Sequence, residues 1–93
     1  MIRGFGDKET AALWRGEGGR RLGADIQDAG LRKLRQIDAA AALADLRIPP
    51  GNRREALRGN RAGQYSIRIN DQWRICFSWK DGGAENVEIA DYH

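Results

Sequence analysis

The chain has 93 residues, 41% of them hydrophobic and 31% charged, which indicates one small domain, over residues 1–93, with a thin core and a highly charged surface. No apolar run approaches the roughly 18 residues that cross a bilayer. The first residues lack the apolar segment of a signal peptide, and a single cysteine excludes an internal disulfide. These features predict a soluble protein of the reducing cytoplasm with no membrane partner.

The net charge of +3 is distributed unevenly along the chain. Residues 47–74 hold seven arginines against two acidic residues, a net charge of +5, whereas residues 75–93 carry −3. Guanidinium groups suit planar, bidentate recognition of phosphate better than ammonium groups do. The arginine block therefore predicts a nucleic-acid partner. Charge alone leaves open the alternative of a solvated basic face that only aids solubility.

The N-terminal segment predicts a short edge strand followed by a helix. Residues 1–5 are partly apolar and are interpreted as the strand. Asp7 is a favourable N-cap for a helix over residues 8–15. Glycine adopts the left-handed conformation common at a helix C-terminus, so three glycines are expected to end this helix. They are Gly16, Gly18 and Gly19.

A second helix is predicted from Ala24 to about Ala42. Asp25 lies in its first turn, where the helix dipole favours negative charge. Its apolar residues recur every three or four positions and would form one buried stripe. The stripe consists of Ile26, Gly30, Leu34, Ile37 and Ala41. Two helices joined by a short glycine-rich loop predict an antiparallel pair that covers one face of a sheet.

The rest of the chain predicts a loop followed by antiparallel strands. Pro49 and Pro50 exclude a helix interior and mark the loop. The turn at residues 80–83 is a strong hairpin signal. Strands are expected at about 53–58, 64–70, 73–79 and 84–91. The predicted fold class is therefore α+β, a two-layer domain with two N-terminal helices packed on a mainly antiparallel sheet.

Alternation over residues 64–79 gives the predicted hairpin one apolar and one polar face. A three-residue connection at 70–72 pairs Ile67 with Ile75 on the apolar face. The same register sets Arg68 opposite Arg74 on the polar face. Opposed like charges are destabilising, and an anion between them would relieve the repulsion. The pair is therefore a candidate phosphate site, unless both long side chains simply splay into water.

The last strand ends on a polar tripeptide. Ile89 belongs to the apolar face, and strict alternation would send Asp91 and His93 to the same side. An ionised carboxylate is costly there. The strand is therefore predicted to fray or bend near Ala90, which would let residues 91–93 reach different parts of one site.

Three segments resemble the HigB toxins of the RelE-like superfamily, also called plasmid maintenance killer proteins. They are residues 49–59, residues 63–77 with the pattern Asn-x-x-Trp-Arg-Ile-x-Phe, and the terminal residues 87–93. The resemblance implies a RelE-like fold and the toxin of a type II toxin–antitoxin system. It further implies a ribosome-dependent endoribonuclease that cuts mRNA in the A site. A HigA-like helix-turn-helix antitoxin, in a neutralising heterotetramer, is the implied partner.

The resemblance also implies roles for individual residues. Arg74 matches the arginine that contacts the scissile phosphate, and Arg58 stands at a position that is usually lysine. Glu55 stands where some relatives have a catalytic histidine, so the general base is not identified. The residues that match the terminal catalytic set are Asp91, Tyr92 and His93. The RNA-binding candidates are Arg53, Arg54, Arg61 and Arg68.

RNA cleavage by its own 2′-hydroxyl needs a base, cations for the developing phosphorane charge, and an acid for the 5′-oxygen. Arg74 and Arg58 can supply the charge. Glu55, Asp91 or His93 is the candidate base, and protonated His93 is the preferred acid because its pKa lies nearest neutrality. The terminal tyrosine could instead stack on a base. One histidine and one cysteine cannot form a zinc site, so no metal or cofactor is expected.

Two other functions remain open from the sequence. One is a non-enzymatic toxin that inhibits DNA gyrase, as ParE-like relatives of this fold do. The other is a basic RNA-binding module without chemistry. The terminal acid/base set favours the nuclease, because a protein that only binds does not need it.

Overall fold

The structure, a computed structural model, describes residues 1–18 and 22–91. Within these ranges the chain forms two helices and a four-stranded antiparallel sheet, with strands in the order β1-β2-β3-β4. The helices are α1 (Lys8–Trp14) and α2 (Ala24–Ala39). The strands are β1 (Glu55–Ala56), β2 (Gln64–Arg68), β3 (Trp73–Lys80) and β4 (Gly83–Asp91). Three short 3-10 turns connect them, at Leu43–Arg47, Pro50–Asn52 and Gly59–Arg61. The predicted α+β fold class is confirmed.

The first helix has the predicted cap. Asp7 Oδ1 accepts a hydrogen bond from the Thr10 amide at 2.7 Å. The helix ends at Trp14, one residue earlier than predicted, and Gly16 follows with a φ of +84°. A left-handed backbone conformation costs glycine little, so Gly16 ends the helix as predicted. Gly18 lies in the coil beyond it. The prediction for Gly19 lies outside the described residues.

The second helix ends at Ala39, so the prediction of about Ala42 was wrong. The cause is a side chain in the turn that follows: Asp45 Oδ2 accepts hydrogen bonds from the amides of Ala41 and Ala42, both at 3.0 Å. These amides then cannot bond to helix carbonyls. Ala41 is exposed, and Ala40 takes its predicted place in the core.

The helices cover one face of the sheet. Most of the predicted stripe is confirmed, with Leu34 and Ile37 fully buried. Gly30 brings α2 close to the sheet, since a Cβ at this position would lie 3.2 Å from Ile89 Cδ1. The remaining buried apolar residues come from both layers. They include Leu13, Leu22, Leu46, Ile67, Ile75, Phe77, Ala84 and Val87.

The N-terminal segment extends the sheet beyond β4, although not as a regular strand. Ile2 and Phe5 form isolated parallel bridges with Ala84 and Val87. The Arg3 amide donates to the Ala84 carbonyl at 2.8 Å. The segment thus lies at the edge as predicted, but its pairing is interrupted.

The predicted register of the hairpin is confirmed. Ile67 pairs with Ile75, and Arg68 pairs with Arg74. Between β3 and β4 the register shifts by one residue, and Asn86 in the bulged region has a φ of +53°. Because side chains alternate along a strand, this shift allows residues three positions apart in β4 to face the same core.

Two strand predictions need correction. The strand expected at 53–58 is reduced to Glu55–Ala56. Arg53 has a left-handed conformation and a 3-10 turn begins at Gly59, so neither flank can extend it. The predicted fray near Ala90 is also wrong, because β4 continues to Asp91, which pairs with Trp73. Its carboxylate is exposed at the end of the sheet, so alternation does not bury it.

Within the part of the chain that the structure describes, no helix has the length and apolar character to cross a membrane.

Candidate active site

The face of the sheet opposite the helices is polar and only partly open to solvent. Glu55, Ser66, Cys76 and Glu88 are consecutive Cα partners in one row across the four strands. The two central members of the row, Ser66 and Cys76, are fully buried. This polar face holds the arginine that the sequence singled out.

Arg74 lies on this polar face, where it is only 9% exposed. Its Nε donates to Ser66 Oγ at 2.7 Å, and its Nη2 donates to the Arg53 carbonyl at 2.6 Å. Residues 66 and 74 are diagonal neighbours across β2 and β3, which brings the hydroxyl within reach of the guanidinium. A buried charge is costly unless hydrogen bonds satisfy it, and these contacts supply that compensation.

In these hydrogen bonds to described residues, the donors are two of the three guanidinium nitrogens of Arg74, Nε and Nη2. Arginine carries five N–H donors in a fixed planar fork. The Nη1 end is therefore the part of the group that its described neighbours leave for a ligand. A guanidinium held in this way can meet an anion without first giving up rotational freedom.

Glu55 is the carboxylate in contact with Arg74. Its Oε1 lies 3.5 Å from Arg74 Nη2, and its side chain is 59% exposed. The first strand brings it there, because Glu55 pairs directly with Ser66. The structure thus places an accessible carboxylate beside a buried, oriented cation.

Arg68 does not share an anion site with Arg74 in this arrangement. Its Nη2 is paired with Asp71 Oδ1 in the adjacent turn. Arg74 turns away toward Ser66 and Glu55. Each arginine therefore has its own partner within the chain, and the register no longer requires a bound anion to relieve the repulsion.

The other arginines of the block make different contacts, and they are not all on the polar face. Arg61 Nη2 forms an ion pair with Glu88 Oε1 at 2.7 Å. The Arg54 guanidinium lies 5.8 Å from the centre of the Tyr65 ring. Its buried Nε has no hydrogen-bond partner among the described residues. Arg53, before β1, is exposed. The catalytic candidate Arg58, at the start of the Gly59–Arg61 turn, is also exposed.

Asp91 does not join Arg74 and Glu55. It pairs with Trp73, whereas Arg74 pairs with Ala90, and successive side chains of a strand point to opposite faces. Asp91 Oδ2 accepts from Gln72 Nε2 at 3.2 Å. The predictions for Tyr92 and His93 lie outside the described residues.

Sequence reasoning missed two buried polar residues: Ser66, which contacts Arg74, and Asn52, which precedes Arg53 in the chain. Ser66 could have been found, because the predicted register already placed it diagonal to Arg74 on the polar face. Asn52 could not, since it lies in a loop with no repeating pattern. It is nevertheless fully buried, directly before the carbonyl that Arg74 contacts.

Among the described residues, no group of three or more His, Cys, Asp or Glu side chains is arranged to hold a metal ion. The site described above therefore consists of an arginine, a serine, a glutamate and a backbone carbonyl.

The fold is that of the RelE-like toxins. A solved structure, the YoeB–YefM complex from Staphylococcus aureus, superposes with a TM-score of 0.63, covering 100% of this chain and 98% of the compared chain. Identity in that alignment is 17%, so it shows the fold alone.

Sequence comparisons give the family. A profile described as "RelE-like toxin of type II toxin-antitoxin system HigB" matches residues 4–93. Toxin HigB-1 of Vibrio cholerae serotype O1 is 51% identical over 70 residues, which cover 75% of this chain and 74% of the relative. Endoribonuclease HigB of Proteus vulgaris is 32% identical over 99 aligned positions that cover 100% of both chains. The chain belongs to the HigB-like family of type II toxins, and its place in a toxin–antitoxin system gives it an antitoxin partner.

Proposed function

We propose that this toxin is a metal-independent endoribonuclease that cuts mRNA in the ribosomal A site and thereby stops translation. The observation that carries the proposal is the Arg74 guanidinium, buried and held by Ser66 and the Arg53 carbonyl. The relative from Proteus vulgaris, aligned over both whole chains, bears the name endoribonuclease.

Arg74 suits the charge that develops during cleavage. Attack of the RNA 2′-hydroxyl on the adjacent phosphorus creates a phosphorane with additional negative charge on its oxygens. A cation already fixed by protein hydrogen bonds stabilises this charge without reorganising at the moment of reaction. The Nη1 end of Arg74, which no hydrogen bond to a described residue engages, is the proposed contact, and exposed Arg58 is the second proposed cation.

Glu55 is the proposed general base. It is the carboxylate in contact with Arg74, and it is exposed enough to reach a substrate hydroxyl. Asp91 lies on the other face of the sheet, which makes it a poorer candidate. A carboxylate that accepts the 2′-hydroxyl proton while Arg74 binds the neighbouring phosphate accounts for the first half of the reaction.

The second half of the reaction is proposed from the family resemblance. His93 would protonate the 5′-oxygen of the departing strand, and Tyr92 would act beside it or stack on a displaced base. Exposed Arg53, together with the other arginines of the block, would bind the RNA backbone. These roles remain predictions.

The proposed setting follows from the same function. A toxin that inhibits translation would act in the cytoplasm. A HigA-like helix-turn-helix antitoxin would neutralise it in a heterotetramer. Inhibition of DNA gyrase or RNA binding without cleavage would each give a different cellular result.

The first experiment maps the 5′ ends of cellular mRNA after brief induction of the toxin. We expect new ends inside coding sequences, in register with codons. Intact mRNA with DNA damage would indicate gyrase inhibition, and intact mRNA with arrested growth would indicate binding without cleavage. Codon preference can be read from the same ends.

A second experiment tests the ribosome and the C-terminus. Purified toxin is incubated with the same mRNA, either naked or on stalled ribosomes. Cleavage is expected only on ribosomes, so equally fast cutting of naked RNA would contradict ribosome dependence. A truncated chain without Tyr92 and His93 should lose cleavage and growth inhibition while still binding antitoxin, and full toxicity would refute the terminal acid.

A further inference from the structure

Asn52 is a fully buried polar side chain behind the proposed site. Its Nδ2 donates to the Leu46 carbonyl at 3.2 Å and to Gln36 Oε1 at 3.1 Å. Its Oδ1 accepts from Lys33 Nζ. A buried amide with both ends bonded fixes its surroundings, because any displacement leaves polar groups unsatisfied.

These bonds attach the loop before β1 to helix α2. Lys33 and Gln36 lie three positions apart and therefore on one side of the helix. The pKa of the Lys33 ammonium is lowered by burial and by the nearby charge of Arg32. Asn52 thus joins a partly buried helix face to the turn Pro50–Asn52.

The next residue along the chain carries the connection to the site. Arg53 has φ +45° and ψ +54°, a left-handed conformation that is disfavoured for a residue with a side chain. The surrounding contacts must therefore impose it. In this conformation the Arg53 carbonyl accepts from Arg74 Nη2 at 2.6 Å.

We propose that Asn52 is a positioning residue, which sets the direction of the Arg53 carbonyl and through it the orientation of the Arg74 guanidinium. This inference rests on the proposed role of Arg74 in RNA cleavage. Asn52 itself does not touch the RNA. Its effect is transmitted by one peptide group, from the α2 side of the loop to the polar face of the sheet.

The kinetic test is a double-mutant cycle between Asn52→Ala and Arg74→Lys, measured as the single-turnover rate on saturating ribosome–mRNA complexes. Misplacing a catalytic group by about 1 Å can cost roughly 100-fold. Asn52→Ala should lower the rate by roughly 10- to 100-fold with little change in apparent affinity. In the Arg74→Lys background the same substitution should change the rate by less than about threefold, because the oriented fork is already absent.

The matched control is Thr10→Val. Thr10 is also a fully buried polar side chain, and its Oγ1 accepts from the Ile89 amide at 3.0 Å on the helix side of the sheet. It should lower stability by a comparable amount and leave the cleavage rate of the folded protein unchanged. Equal rate losses in Thr10→Val and Asn52→Ala, or an Asn52→Ala effect that persists in full beside Arg74→Lys, would overturn the inference.

A direct readout does not depend on activity. In nitrogen-15 NMR spectra, the Arg74 guanidinium protons should be distinct and protected in the wild type and in Thr10→Val. Averaged, rapidly exchanging signals are expected in Asn52→Ala. If that variant does not fold, Lys33→Met removes only the Oδ1 partner and should give partial averaging. Unchanged signals in a folded variant would refute the inference, and a wild type with fixed Arg74 but no mRNA cleavage would refute only the proposed function.

Discussion

The two faces of the sheet are built from the same strands, but they bury residues of opposite chemistry. On the helix side, Ile67, Ile75 and Ile89 are side-chain neighbours with almost no exposure. On the other side, Arg74 is nearly as buried as they are, at 9% exposure. The first face excludes water because its residues are apolar. The second buries a charge because the charged group donates hydrogen bonds to specific neighbours.

The difference shows how a small domain can support a site on the sheet face opposite its helices. Apolar packing tolerates changes of shape that preserve volume. A buried guanidinium tolerates few changes, because each of its donors needs an acceptor in the right place. We therefore expect substitutions on the helix side to reduce mainly stability, and substitutions on the polar face to reduce mainly cleavage.

Arg74→Ala should have the largest combined effect. It removes the proposed phosphate contact, a loss of roughly 100- to 1000-fold in rate. It also leaves Ser66 Oγ and the Arg53 carbonyl without their donor, which should cost about 1–3 kcal/mol of stability. Cleavage assays and thermal unfolding check both numbers. Wild-type cleavage by the folded variant would remove Arg74 from the mechanism.

Ile75→Ala tests the helix-side face one residue away on the same strand. Ile75 is fully buried, so the substitution should destabilise by about 2–5 kcal/mol through lost burial and a cavity. The fraction that remains folded should cleave at close to the wild-type rate. Urea unfolding, together with rates corrected for the folded fraction, measures the two effects. A catalytic loss in stably folded protein would contradict the division between faces.

Glu55→Gln should separate catalysis from stability on the polar face. Loss of a general base typically costs about 100-fold or more in rate. Its ion pair with Arg74 is largely exposed on the Glu55 side, so stability should change by less than about 1 kcal/mol. The matched variant Asp91→Asn removes the alternative candidate base. Retained activity in Glu55→Gln with loss in Asp91→Asn would transfer the role to Asp91.

Arg68→Gln should have the smallest effect. Its ion pair involves Asp71, whose side chain is 99% exposed, so it should contribute about 0.5 kcal/mol or less. If Arg68 binds the RNA backbone, cleavage should fall only moderately and should depend less on salt than in the wild type, because one phosphate contact is lost. A rate loss as large as that of Arg74→Ala would restore the paired-arginine site that the register first indicated.

The local sequence pattern was sufficient to predict the elements that depend on residues nearby in the chain. The cap at Asp7 and the register that sets Arg68 opposite Arg74 were both predicted correctly. An N-cap is decided within four residues, and a short loop leaves a hairpin few registers. The resemblance was sufficient for the family, because its motifs lie within continuous segments.

Tertiary contacts decided the rest. The shortness of β1 depends on the left-handed Arg53, whose carbonyl is bonded to Arg74. Arg74 and Arg53 are 21 residues apart, and Lys33 and Asn52 are 19 apart. No periodicity reports such pairs, because each is a single polar contact made only after the helices and strands have packed. The charge pattern predicted a basic surface, but the packed structure decided that its central arginine is buried, held by neighbours and aligned beside Glu55.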